Sequence, residues 1–279
     1  MPSSNTEATS LEGLHILVTG STDGIGAVTA EELGRAGAIV YVHGRNADKI
    51  ERTLASLRER GVNAPRGFRA DLASLADTAK LAKQIVAQVP QLDVLINNAG
   101  IGTGGSRSQR EISQDGFELR FAVNYLATFV LTRNLIAAGR IPRAVIHVSS
   151  IGQEDLDFDD LMLERHYSGV SAYCRSKLAQ ILFAFDLAES HPRIKTHALH
   201  PGTYLDTNMV RQAGVRPLGS AGEGADAILF VTRHALSDSP NGLYFDQQRT
   251  ARPLPQAYDR TARARLRKAS EELAAPFLS

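Results

Sequence analysis

The sequence predicts one doubly wound α/β domain, a parallel sheet of about seven strands with helices on both faces. Three observations carry that prediction. Short β-branched runs alternate with longer helical patterns, as parallel strands joined by crossover helices require. The first such run passes straight into a glycine-rich turn that opens a helix. Across 279 residues there is no internal repeat, low-complexity tract or linker to mark a second domain, and a chain of this length buries about three quarters of its unfolded surface.

The elements follow in order. HILVTG (15–20) reads as the first strand and GAVTAEELGRAG (26–37) as the helix after it. AIVYVHG (38–44) is a strand, followed by a helix that Asn46 caps and that closes near Gly61. RGFRADL (66–72) is a short third strand, SLADTAKLAKQIVAQV (74–89) a helix opened by Ser74, and LDVLINNAG (92–100) a strong fourth strand. A long helix, 116–139, carries Asn124, and RAVIHVSS (143–150) is the fifth strand. The helix at 171–190 has Leu178, Ile181, Leu182 and Phe185 on its apolar side. RIKTHALH (193–200) is a strand, Ser220 and Glu223 stand at capping-box spacing before a helix, and NGLYFD (241–246) is a seventh strand. The tail, 258–275, reads as a polar helix packed on the outside of the domain or against a partner. Residues 1–12 read as a loose polar arm and 13–279 as the domain.

Composition narrows the function classes. A net charge of +1 argues against a dedicated nucleic-acid binder. The single cysteine, Cys174, forms no internal disulfide and reads as a packing residue. The first residues lack the basic and apolar regions of a signal peptide, and no apolar run approaches the ~20 residues of a membrane span. The expected location is the cytoplasm. DLDFDDLMLERH (155–166) superficially suggests a calcium loop, but Asp160 stands where glycine is needed and His166 where glutamate is needed. The eight histidines show no metal-ligand spacing, and no metal is expected. Tyr167 reads as a pocket or packing residue; Arg107 and Arg110 lie in a loop able to meet an acidic substrate, though most arginines in such loops merely face water.

The turn TGSTDGIG (19–26) carries Gly20, Gly24 and Gly26 between a strand and a helix in the first βαβ unit. These glycines provide a tight turn, close backbone approach and close helix–strand packing, and the helix N-terminus presents unpaired N–H groups to an anion. That context points to a dinucleotide pyrophosphate. At the end of the second strand stand Gly44 and Arg45, with no carboxylate to hold a ribose 2′-hydroxyl. A planar guanidinium suits a 2′-phosphate, so NADP is preferred over NAD; the alternative is that Arg45 simply faces water. Tyr173 and Lys177, four apart on a helix, lie about 6 Å apart along the axis. An ammonium there favours a phenolate, which makes the tyrosine's proton useful near neutrality, but the spacing alone suits a half-buried tyrosine beside a solvated lysine better.

With TGSTDGIG, ADL at Asp71, NNAG (97–100), Asn124 in FAVNYLA, VSS ending at Ser150, YCRSK and HPG (200–202) in this order, the chain resembles the short-chain dehydrogenase/reductase family over nearly its whole length. AYCRSKLAQILF and the long stretch between Ser150 and Tyr173 resemble its retinol-dehydrogenase-like and protochlorophyllide-reductase-like branch. The resemblance implies a Rossmann domain and hydride transfer between a nicotinamide cofactor and a small carbonyl or alcohol, with homo-oligomers common in the family. It implies Tyr173 as general acid/base, Ser150 on the substrate oxygen, Lys177 on the nicotinamide ribose, and Asn124 ordering a relay water. The same resemblance implies a cofactor site from Gly20, Ser21, Thr22, Asp23, Gly24, Ile25, Gly26, Arg45, Asp71, Leu72, Asn98, Ala99, Gly100, Asn124, Tyr173, Lys177, Pro201, Gly202 and Thr207. One departure concerns PGTYLDTNM: Asp206 stands where the family has Ser or Thr, so Thr207 or Thr203 takes that part. The competing reading is a cofactor-binding sensor or scaffold without chemistry, for which the full set Asn124, Ser150, Tyr173 and Lys177 has no use.

Overall fold

The computed structural model describes residues 9–104, 109–140 and 142–279. Eight strands form: β1 (His15–Val18), β2 (Ile39–Gly44), β3 (Arg66–Arg69), β4 (Val94–Asn97), β5 (Ala144–Val148), β6 (Lys195–His200), β7 (Leu243–Asp246) and β8 (Arg249–Ala251). Among the described residues the α-helices are α1 (Gly24–Arg35), α2 (Ala47–Glu59), α3 (Leu75–Gln88), α4 (Ala127–Ala137), α5 (Gly169–Ser190), α6 (Asn208–Gln212), α7 (Ala221–Leu236) and α8 (Arg260–Ala274). The strand order is β3-β2-β1-β4-β5-β6-β7-β8, parallel throughout except for β8. All seven expected strands are present. The extra strand is a short hairpin return from β7, too brief to leave a pattern in the sequence.

Local chemistry explains the boundaries. Asn46 Oδ1 accepts from Lys49 N at 2.9 Å, Ser74 Oγ from Asp77 N at 3.2 Å and Ser220 Oγ from Glu223 N at 3.2 Å, each satisfying an otherwise unpaired N–H of a first turn. Strand side chains then divide between two cores. Leu17, Leu95 and Val145 face the layer of α3, α4 and α5, with Leu81, Phe129 and Phe183. Ile16, Val18, Val94, Ile96 and Ile146 face α1, α2 and α7, with Leu33, Leu54 and Ile228. A sheet covered on both faces accounts for strands that read as continuous apolar runs.

Residues 1–8 of the expected arm lie outside the described residues, but its end is anchored, with Leu11 buried in the second core. The long helix expected at 116–139 is shorter and irregular: Phe121–Leu126 is a π-helical turn leading into α4. The C-terminal α8 packs outside α5. Tyr125 and Ser270 hydroxyls meet at 2.6 Å, and Arg267 and Arg263 reach Asp186 and Glu189 at 2.7 Å each.

β1 pairs with β2 on one side and β4 on the other, so the connections reverse direction between β1 and β4. Ligands of such sheets bind in the crevice at the carboxyl ends of the strands flanking this switch point. Among the described residues, no helix is long and apolar enough to cross a membrane.

Candidate active site

The turn after β1 is built for close approach. Gly20 has φ +65°, and a Cβ there would meet Ala99 Cα at 2.8 Å. A Cβ on Gly26 would lie 2.4 Å from both the Gly20 carbonyl oxygen and Asn98 Nδ2. Thr19 Oγ1 accepts from the N–H groups of Asn98 and Ala99, both at 3.0 Å, while Asn98 Nδ2 donates to the Thr19 carbonyl at 2.8 Å. The segment after β4 is thereby clasped to the glycine turn. Ser21 Oγ donates to the Val18 carbonyl at 2.8 Å and accepts from His43 N at 3.0 Å; Thr22 packs against Gly44. His43 Nδ1 accepts from Gly20 N at 3.2 Å, and burial lowers its pKa to about 4, so it stays neutral. Ile25 packs towards Gly224.

Asp23 caps α1 by accepting from Gly24 N at 2.8 Å. Its other oxygen accepts from Asn208 Nδ2 at 2.6 Å and Lys49 Nζ at 3.3 Å. Burial opposes ionisation, but the bonds to Asn208, Lys49 and Gly24 outweigh it and hold the carboxyl below its usual range. Thr207 caps α6, and its side chain lies 3.2 Å from where a Gly24 Cβ would be. It therefore sits against the glycine turn. Thr203 bonds His200 at 3.0 Å, next to Pro201 and Gly202. Asp71 follows β3 and accepts from Ala73 N at 3.0 Å beside buried Leu72. Arg45 is exposed at the end of β2, where it shares an open depression with Arg69.

The second cluster forms where β4, β5 and α5 meet. Asn124 is fully buried in the π-helical turn; its Oδ1 accepts from Ile101 N at 2.8 Å and its Nδ2 donates to the Ile101 carbonyl at 3.1 Å and Ser176 Oγ at 2.9 Å. A Cβ on Gly100 would stand 3.2 Å from Asn124 Oδ1 and 3.4 Å from Lys177 Nζ, which places both beside the glycine-lined crevice. Lys177 Nζ lies over the Tyr173 ring, 5.8 Å from its centroid. Tyr173 and Ser150 both border Gly152, where a Cβ would lie 3.5 Å from Ser150 Oγ and 3.8 Å from Tyr173 Cε1, and Ser150 Oγ accepts from Gly152 N at 3.0 Å. Asn124, Ser150, Tyr173 and Lys177 are thus together.

The electrostatics differ from the sequence expectation. Burial raises the Tyr173 pKa above its ordinary 10, with the Ser150 side chain pulling the other way. Lys177 is itself desolvated, which lowers its pKa to about 7. Its amine is engaged by Val148 and Gln180 (2.8 and 3.1 Å). A half-charged lysine is a weak lever on a neighbouring phenol.

The sequence reading missed several residues. Gln180 stands one helical turn beyond Lys177, a spacing that was open to inspection. Arg69 and Asn208 gave no local signal. Glu118 and Arg120 form a buried pair at 3.5 Å; Tyr167 OH donates to Glu118 Oε1 at 3.1 Å and accepts from Arg120 at 2.8 Å. Arg120 also donates to the carbonyls of Gly102 and Thr103 at 2.9 and 3.0 Å. Arg110 Nε donates to the Met162 carbonyl at 3.0 Å; Arg107 lies outside the described residues. Asp160 accepts from the N–H groups of Glu164 and Arg165, which gives the would-be calcium segment a turn-forming role.

The sequence model described as short chain dehydrogenase matches residues 14–216, so the chain belongs to that family of oxidoreductases. Among curated proteins, human retinol dehydrogenase 13 is 33% identical, covering 92% of this chain and 83% of its own, and human retinol dehydrogenase 14 is 32% identical, covering 94% and 86%. These relatives place the chain in the retinol-dehydrogenase-like branch. An uncharacterized protein from Mycobacterium paratuberculosis superposes with a TM-score of 0.78 at 30% identity, covering 96% of both chains. A chain from Shigella flexneri described as a short chain dehydrogenase, complexed with NADP, has a TM-score of 0.69 at 27% identity, covering 87% of this chain and all of its own.

Proposed function

We propose that this oxidoreductase uses NADP to interconvert a carbonyl and an alcohol on an apolar molecule, with Tyr173 as general acid/base. The observation that carries the reading is the convergence of Asn124, Ser150, Tyr173 and Lys177 beside the glycine-lined crevice. The residues fit a dinucleotide: the Gly20–Gly26 turn closes to any side chain, and although Asp23 takes the Gly24 N–H, the following N–H groups of α1 would face a pyrophosphate. An ammonium has three donors, and Lys177 spends two on Val148 and Gln180, which leaves one for a ribose hydroxyl. Asp71 and Leu72 would border the adenine, Asn98 to Gly100 the nicotinamide side, and Pro201, Gly202 and Thr207 the cover of the crevice. Bound NADPH would supply the hydride.

The protein's part is the proton and the charge. Reduction leaves negative charge on the substrate oxygen, and Ser150 and Tyr173 bring two hydroxyl-bearing side chains to the same spot beside Gly152 to receive it. A raised phenol pKa suits the reductive direction, because Tyr173 stays protonated and ready to donate at neutral pH. In the oxidative direction the same oxygen takes the alcohol proton. The Asn124 side chain is committed to Ile101 and Ser176, so a relay water would use its main-chain carbonyl, which also accepts from Thr128 Oγ1 at 3.2 Å. Exposed Ile151, Tyr204 and Leu218 on the adjoining loops and Val170 in the first turn of α5 favour an apolar substrate.

A fluorescence titration with NADPH and, separately, NADH tests the cofactor reading. The chain has no tryptophan, so the reduced nicotinamide's emission is followed with little interference. Tighter NADPH binding is expected. Preferential NADH binding would overturn the NADP assignment, and binding of neither would overturn the enzyme reading.

A further inference from the structure

We infer that Arg69, at the end of β3, is a second arginine for the 2′-phosphate of the cofactor and sets selectivity together with Arg45. The inference rests on the NADP reading above and names the part of the site that reads the phosphate. Arg69 is paired in register with Gly44, the last residue of β2, so the third strand brings its side chain beside the turn that carries Arg45. Its Nε donates to the Arg45 carbonyl at 3.3 Å. That bond uses one edge of the guanidinium and fixes its direction, while the terminal nitrogens remain to grip an anion. Arg45, Asn46, Ala47, Asp48 and Arg69 line an open depression of about 440 Å³ between the ends of β2 and β3 and the start of α2.

The lining discriminates between ligands. Among the described residues neither arginine has a carboxylate within 4.0 Å, so neither of the two like charges at this cavity is ion-paired. Asn46 is committed to capping α2 through Lys49 N. Lys49 is drawn to Asp23 and does not line the depression. The group that fits is a phosphate monoester: doubly charged, with three oxygens for two guanidinium forks. A 2′-hydroxyl offers no charge to either. Asp48 is the one acid in the lining and opposes a phosphate, so it tempers the affinity that the two arginines create.

The test is the titration of Arg69→Gln, Arg69→Lys, Arg45→Gln and Asp48→Asn with NADPH and NADH, at low and high salt, with adenosine 2′,5′-bisphosphate and 5′-AMP as competitors. Arg69→Gln is expected to weaken NADPH and the bisphosphate at least tenfold while changing NADH and 5′-AMP by less than threefold. Arg69→Lys should lie between, because it keeps charge but loses the fork, and Asp48→Asn should tighten NADPH several-fold. Arg69 is exposed, so thermal melting should show all four proteins folded. If Arg69→Gln leaves NADPH unchanged, or weakens both cofactors equally, while Arg45→Gln alone abolishes the preference, the inference fails and the NADP reading stands. If the unaltered protein prefers NADH, the NADP reading itself fails.

Discussion

Lys177 and Val148 are joined by a 2.8 Å hydrogen bond from the buried amine to the strand carbonyl, so a potential cation beside Tyr173 is held by neutral partners alone. Desolvation brings its pKa from 10.5 to about 7. Below about pH 7 the folded and unfolded states are both protonated, and the cost of burying the charge is fully present. Between about pH 7 and 10.5 the unfolded chain binds the extra proton, so stability rises with pH.

The first prediction follows from that sign. Comparing the unaltered protein with Lys177→Met by urea unfolding without cofactor, the difference should move in favour of the lysine by about 1.4 kcal/mol per pH unit across this window. A difference independent of pH between 7.5 and 9 would mean that Lys177 titrates as an exposed lysine does.

Removing the Tyr173 hydroxyl isolates the proton from binding. Tyr173→Phe should lower turnover by about 10²–10⁴-fold or more, the range of a general acid/base, with NADPH affinity within a few-fold. Because burial raises the phenol's pKa, reduction should hold its rate through neutral pH and fall only in alkali, whereas alcohol oxidation should rise with pH. Unchanged turnover in the variant would overturn the assignment.

At the phosphate end, Gly26→Ala puts a methyl within 2.4 Å of the Gly20 carbonyl and of Asn98 Nδ2, neither of which has room to retreat. The turn must open, and nucleotide binding should weaken at least tenfold. Gly61→Ala is the useful contrast: no atom lies within 4 Å of its Cβ position, but φ is +81°, so it should cost only strain, about 1 kcal/mol, and leave binding intact. Equal effects on NADPH affinity in the two variants would dismiss the close-approach argument.

How much of this was legible depends on whether the cause is local. Asn46, Ser74 and Ser220 announced their helices because capping acts within three residues. The parallel sheet was readable from alternation, since parallel strands need crossovers, whereas the strand order rests on pairings between distant segments. The π-helical turn at Asn124 was not, because its apolar neighbours Phe121, Val123, Tyr125 and Leu126 are buried on every side and leave no period to break. Arg69 and Asn208 were invisible for another reason: each matters through a partner far along the chain, Arg45 and Asp23. The upward push that burial gives the Tyr173 phenol without cofactor was not legible either, because spacing reports proximity and says nothing of desolvation.

Tyr167 carries the last prediction. Its hydroxyl donates to Glu118 and accepts from Arg120, and Arg120 holds the carbonyls of Gly102 and Thr103. Glu118 Oε2 in turn accepts from Phe121 N at 2.7 Å, at the start of the π-helical turn that carries Asn124. One phenol therefore ties the segment before α5 to the loop after β4 and to the helix of Asn124. Burial and the Glu118 charge raise its pKa to about 12, so it remains a neutral donor across the working range. Tyr167→Phe leaves a buried carboxylate and guanidinium each short of one partner, which should cost about 1–3 kcal/mol in urea unfolding. Because the loosened segments flank the proposed substrate crevice and not the Arg45 end, the substrate KM should rise several-fold with NADPH affinity unchanged. A loss of stability without a change in KM would make the network a purely structural brace; a change in NADPH affinity instead would mean that it shapes the cofactor crevice.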